Sequence, residues 1–185
     1  EVWNRAMTLS PHSIGRGTEW NGPLELKKLF EGTNDAPQQG QFIDQRFVDY
    51  LSHNLDRLPE MHWRKFEELA AEFFHREGFQ VQLGPGTNDD GVDVRVWKPD
   101  SLPTDKPLCL VQCKRQKSKV EKVVVKGLYA DVQHEGADFG VVVTTSELSP
   151  GARKTVASRG YPIQEVERTA LSKWLAALRT PGTGI

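Results

Sequence analysis

The sequence predicts an α/β fold, a three-layer α/β/α arrangement in which helices cover both faces of a central mixed sheet. Three observations carry this. Residues 139–144, Phe-Gly-Val-Val-Val-Thr, form an almost continuous apolar run, the pattern of a strand buried on both faces. Residues 79–83 and 92–97 instead alternate apolar and polar positions, as half-buried strands do. Between residues 119 and 178 helical and strand patterns alternate, which builds a sheet with crossover helices.

Taken in order, the first helix is expected over residues 23–31, with Pro23 at its first position and Gly32 just past its end. A second, over 42–58, follows from the 3.6-residue spacing of Ile43, Phe47, Tyr50, Leu51, Leu55 and Leu58, stopped by Pro59. A third, over 62–77, buries Phe66, Leu69, Ala70, Phe73 and Phe74 and ends at Gly78. The strand 79–83, the glycine-rich turn 84–91 and the strand 92–97 come next, then a loop with three prolines and a third strand, 108–114. Residues 119–135 read as a helix ending at Gly136, although Val123-Val124-Val125 also suits a strand. After the strand 139–144, Ser149-Pro150 is an N-cap with Pro at N1, opening a helix that closes at Gly160. A short strand over 161–166 precedes the last helix, lined by Ala170, Leu171, Trp174, Leu175 and Leu178 before Pro181. Three segments follow: an irregular and helical N-terminal segment over 1–60, the main domain over 61–179 and a tail over 180–185. The first is a linker, a dimer contact or the remnant of a sensor.

Of 185 residues, 37% are hydrophobic and 26% charged, too apolar for a disordered chain and too polar for a membrane protein. The formal net charge of −1 draws nothing globally to nucleic acid, so any such surface is local. Two cysteines and no Asn-x-Ser/Thr acceptor argue against secretion, and a cytoplasmic location is expected. Glu at position 1 suggests a piece of a longer chain. No phosphate loop, His-Glu-x-x-His or Gly-x-Ser-x-Gly motif is present. An EF-hand begun at Asp89 would place Val94 where glycine is required. Cys109 and Cys113 lack zinc-site spacing and read as packing residues.

The informative group is Asp93 with Gln112 and Lys114. Residues two apart on a strand share a face, so Gln112 and Lys114 point together with Leu110 while Cys113 turns away. Hairpin pairing across residues 99–107 brings Asp93 beside them. A carboxylate, an amide oxygen and an ammonium then converge, which suits a divalent metal and a phosphodiester. Asp93, the Gln112 side-chain oxygen and the Cys113 backbone carbonyl can hold Mg2+, with Lys114 steadying the attacking hydroxide or the charge developing on phosphate. The same spacing also suits the polar face of an edge strand. Glu67 lies at the edge of its helix's buried stripe, able to reach the sheet end or to serve as an ordinary boundary carboxylate; Glu68 points away toward solvent. Arg115, Lys117, Lys119, Lys122 and Lys126 follow the site directly, where a DNA backbone or simply water would lie.

The segments Phe66-Glu67-Glu68-Leu69-Ala70, Gly78-Phe79, Asp90-Gly91-Val92-Asp93-Val94, Val111-Gln112-Cys113-Lys114-Arg115, Val143-Thr144-Thr145-Ser146 and Ala152 resemble, in order, the catalytic domain of Mrr-type restriction endonucleases of the PD-(D/E)xK superfamily. The resemblance covers about residues 61–178. It implies a restriction-endonuclease-like fold with Asp93 as the metal-binding acid, Gln112 in place of the usual Glu or Asp, Lys114 as the catalytic lysine and Glu67 as the helix acid. Gln112 removes one negative charge, so weaker metal binding is expected. The implied activity is Mg2+-dependent cleavage of double-stranded DNA, Mn2+ substituting, by the effector of a restriction or antiphage defence protein, acting as a dimer with a separate recognition domain and no membrane contact. A non-catalytic DNA-binding or partner-docking module and a junction or repair nuclease are the alternatives.

Overall fold

The structure, a computed structural model, describes residues 26–31, 41–86, 91–102 and 104–179. Its helices are α1 (Lys27–Glu31), α2 (Gln45–His53), α3 (Trp63–Arg76), α4 (Lys122–Glu135), α5 (Pro150–Arg159) and α6 (Arg168–Leu178). Its strands are β1 (Gln80–Leu83), β2 (Val94–Trp97), β3 (Cys109–Lys114), β4 (Phe139–Thr144) and β5 (Ile163–Val166). They form one sheet in sequential order. Loops join β1, β2 and β3 as antiparallel neighbours, whereas α4 and α5 carry the chain back so that β3, β4 and β5 run parallel. The sheet is therefore mixed, as expected.

Alternation along the strands divides the side chains between two cores. Val94, Val111, Val141 and Val143 pack with Phe66, Phe73, Phe74 and Trp174 from α3 and α6. Leu110, Val142 and Ile163 pack with Val125, Leu128, Val132 and Ala152 from α4 and α5. β4 feeds both cores, which explains its continuous apolar run.

The single helix expected over 42–58 is two pieces: α2 ends at His53 and a 3₁₀ helix, Leu55–Glu60, follows. Pro59 lacks an N–H and its ring collides with the carbonyl four residues back, Leu55, so an α-helix cannot continue there. The Asn54 side chain ends α2 by donating to the Tyr50 carbonyl at 2.8 Å. Helix α4 starts three residues later than expected because Val120 bridges to Leu148 in the neighbouring loop. Val123-Val124-Val125 is helical.

Among the described residues of the first sixty, Leu29, Ile43, Val48 and Leu51 are fully buried in the α3–α6 core. Glu72 accepts the N–H groups of Gln41 and Phe42, and Gln45 donates to the Leu178 carbonyl at 2.8 Å. These described residues pack onto the α3–α6 layer of the sheet. The expectations that fall on residues 1–25, 32–40, 87–90, 103 and 180–185 lie outside the described residues.

Candidate active site

Strand β3 pairs with β4 along its whole length but with β2 only from Cys109 to Val111. Gln112, Cys113 and Lys114 therefore run on past the ladder. Asp93 closes this gap with its side chain: Oδ2 accepts the Cys113 N–H at 2.6 Å, while its own N–H donates to the Val111 carbonyl at 2.9 Å. One further step of the β2–β3 register sets Asp93 opposite Gln112, and both are buried. Leu110 lies in the α4–α5 core and Cys113 packs against the other, as strand alternation requires.

Helix α3 delivers the second carboxylate. Glu67 is buried and in hydrogen-bonding contact with Asp93. Burial foremost, then the Asp93 charge, push its carboxyl up to about 8, while Arg64 pulls it down. The Arg64 guanidinium donates to Glu67 at 3.0 Å and to the Gly84 carbonyl at 2.7 Å, tying the acid to the start of the β1–β2 turn. The Cys113 thiol is pushed well above its ordinary value by burial and by the charges of Asp93 and Glu67, and is drawn down by Lys114. Cys109 is buried and Cys113 half-buried, and both pack in the core between the sheet and α3 and α6.

Glu68 is not solvated as expected: its side chain is 12% exposed and pairs with the buried Lys65 at 2.7 Å. α3 is buried on more than its sheet-facing stripe, with Lys65 and Glu72 buried as well as Phe66 and Phe73, because α1 and α2 share its core.

Two glycines permit the close approach of these groups. Gly84 N–H donates to the Asp93 carbonyl at 2.7 Å, and a Cβ there would lie 2.9 Å from the Val92 carbonyl oxygen. Gly91 has φ +88°, and its Cβ would stand 2.9 Å from the Gln112 amide nitrogen. Gly91→Ala is expected to cost about 1–3 kcal/mol of stability for a non-glycine residue in this region, and to displace the Gln112 amide. Chemical denaturation and calorimetric Mn2+ titration of the same variant check both effects.

The amide oxygen of Gln112 is buried and has no hydrogen-bond partner. An unmade bond of this kind costs about 1–3 kcal/mol, and two carboxyl groups in contact repel once both ionise. A hard cation between them relieves both penalties, so Asp93, Glu67 and the Gln112 oxygen fit a divalent ion. No three His, Cys, Asp or Glu side chains among the described residues are placed to hold a metal ion by themselves, and the third side-chain oxygen here is an amide. Lys114 sits beside this set at the end of β3, where Thr144 and Thr145 donate to its carbonyl. Its ammonium has no ion pair or hydrogen bond among the described residues.

Residues 58–175 match the restriction endonuclease family model Mrr_cat. The chain belongs to the Mrr-type restriction endonuclease catalytic family. The Mrr-type domain is also 28% identical over 102 residues to the uncharacterized protein y4cE of Sinorhizobium fredii, covering 55% of this chain and 26% of that protein. Among solved structures it is similar to the MspJI restriction endonuclease in complex with a 27-mer oligonucleotide, at 25% identity and TM-score 0.45, over 70% of this chain and 30% of that one. The DNA modification-dependent restriction endonuclease AspBHI matches at 19% identity and TM-score 0.47, over 79% and 41%. The chain therefore spans less than half the length of each of these relatives.

The basic run of the Mrr-type domain divides in two. Arg115 donates to the Pro59 carbonyl at 2.9 Å and Lys119 pairs with Glu147 at 2.8 Å. Lys117, Lys122 and Lys126 are exposed and have no ion pair among the described residues. Sequence reasoning missed Arg64; its signal was the i,i+3 spacing to Glu67, which places both on one helix face.

Proposed function

We propose that this domain is a divalent-metal-dependent endonuclease that hydrolyses phosphodiester bonds of double-stranded DNA, the effector of a restriction or defence protein that works as a dimer. The observation that carries this reading is the unpartnered Gln112 oxygen beside the contacting Asp93 and Glu67 carboxyls, with a free Lys114 ammonium on the same strand end. Asp93, Glu67 and the Gln112 oxygen would hold Mg2+, or Mn2+ in its place, and the Cys113 carbonyl is a further oxygen on that strand. When bound, such an ion polarises the phosphate and lowers the pKa of water. Lys114 donates hydrogen bonds toward the oxygen on which negative charge grows in the transition state. Arg64 keeps the Glu67 carboxylate turned toward Asp93. Lys117, Lys122 and Lys126 offer charge to the DNA backbone.

The experiment is cleavage of an end-labelled duplex by the intact chain and by Lys114→Ala. Loss of one group that meets developing charge costs about 10²–10³ in rate, so that drop is expected with DNA retardation in gels retained. Equal cleavage by both proteins would remove Lys114 from the chemistry. Retardation without cleavage by either would favour a non-catalytic binding module, the reading that the low charge of the Gln112 site also suits.

A further inference from the structure

A groove of about 540 Å³ opens at the C-terminal ends of β3, β4 and β5, on the sheet edge that carries Lys114. Lys117 from the β3–α4 loop, Ser146 from the β4–α5 loop, and Arg168 and Thr169 at the start of α6 line it. Two of its acids are already engaged. Glu147 pairs with Lys119 at 2.8 Å, and Glu167 pairs with Arg153 while accepting the Leu148 N–H at 2.9 Å. Asp56 is a lining acid with no ion pair among the described residues, set against two exposed cations, Lys117 and Arg168, that also have none. Glu147 and Glu167 thus have cation partners, Arg153 being shared with Glu165 at 3.4 Å, and Lys117 and Arg168 are the lining cations without an ion pair among the described residues.

Position adds to charge. Neighbouring strands lie about 4.8 Å apart, so the ends of β4 and β5 stand roughly 5 and 10 Å along the edge from Lys114. A DNA strand advances about 3.4 Å per nucleotide along the duplex axis. A strand that runs along this edge with its scissile phosphate at Lys114 would therefore bring its next phosphates over this groove.

We propose that the groove is a second phosphate-binding subsite, in which Lys117, Arg168 and the Thr169 hydroxyl hold the backbone of the cleaved strand one to three nucleotides from the scissile bond. The proposal rests on the nuclease reading and adds Arg168 to it, a residue remote in sequence from the basic run. Arg168 acts as a positioning residue; it does not touch the reacting atoms.

Fluorescence anisotropy of a labelled duplex against the intact chain, with EDTA present and salt varied, tests it. Each lost phosphate contact makes the slope of log affinity against log salt shallower by about 0.9. That change is expected for Arg168→Ala and for Lys117→Ala, with Arg168→Lys close to the parent and Lys154→Ala, on the outer side of α5, unchanged. In cleavage with Mg2+ added, KM should rise several-fold while kcat stays near the parent value. Unchanged slopes and KM in both alanine variants, with a parent that binds and cleaves, would overturn the subsite and leave the nuclease reading intact. A parent that neither binds nor cleaves would overturn both.

Discussion

Asp93→Asn is expected to lower DNA cleavage by about a thousandfold, the upper end of the loss when one group meeting transition-state charge is removed, while the fold survives. Asparagine retains an oxygen that can accept the Cys113 N–H, so the end of β3 stays tied. Only the negative charge is lost. Asp93→Ala is the poorer test, because it leaves that N–H without its acceptor at an estimated cost of about 1–3 kcal/mol, mixing stability with chemistry. Time courses of plasmid nicking beside thermal melts separate the two, and an asparagine variant that cleaves within a few-fold of the parent would remove Asp93 from the site. DNA affinity in EDTA should hardly change, since Asp93 is buried and adds no cation to the backbone surface.

The largest effect on stability is expected from Phe73→Ala. Phe73 is 2% exposed and stacks on Trp174 with ring centroids 3.9 Å apart and planes 6° from parallel. Phe74 meets both rings edge-on. Removing a buried phenyl ring costs about 3–5 kcal/mol, which for a chain of this size lowers Tm by roughly 6–20 °C. The stacked pair locks α3 to α6, so cleavage should fail at temperatures where the parent is active and return on cooling. Urea denaturation gives the free energy directly, and a change below about 1 kcal/mol would mean that the core repacks around the cavity.

Much of this architecture was legible because local chemistry and tertiary packing agree. Ser149-Pro150 opens α5 as an N-cap and N1 pair, with the Ser149 hydroxyl accepting the Ala152 N–H at 3.1 Å. The convergence of Asp93 with Gln112 was readable from strand alternation and a hairpin, and the structure adds the contact between Glu67 and Asp93 that helix periodicity left open. What could not be read depends on neighbours distant in the chain. Glu68 faces away from the sheet, but periodicity does not reveal that α1 and α2 pack on the same helix. Pro59 did carry a local signal; its clash falls four residues upstream, and the 3.6-residue apolar spacing masked it. Arg168 joins the strand-end groove only because β3, β4 and β5 run parallel and release their loops at one edge.

With Gln112 on β3, the candidate metal site has two carboxyl groups and one neutral amide oxygen, so metal dependence is its defining property. The most direct measurement is nicking of supercoiled plasmid by the intact chain in Mg2+, in Mn2+ and in EDTA. Nicking in either metal and none in EDTA is the predicted result. Nicking that persists in EDTA, or its absence in both metals from a folded chain that still retards the plasmid, would contradict the assignment of metal-dependent cleavage to the Asp93, Glu67, Gln112 and Lys114 face.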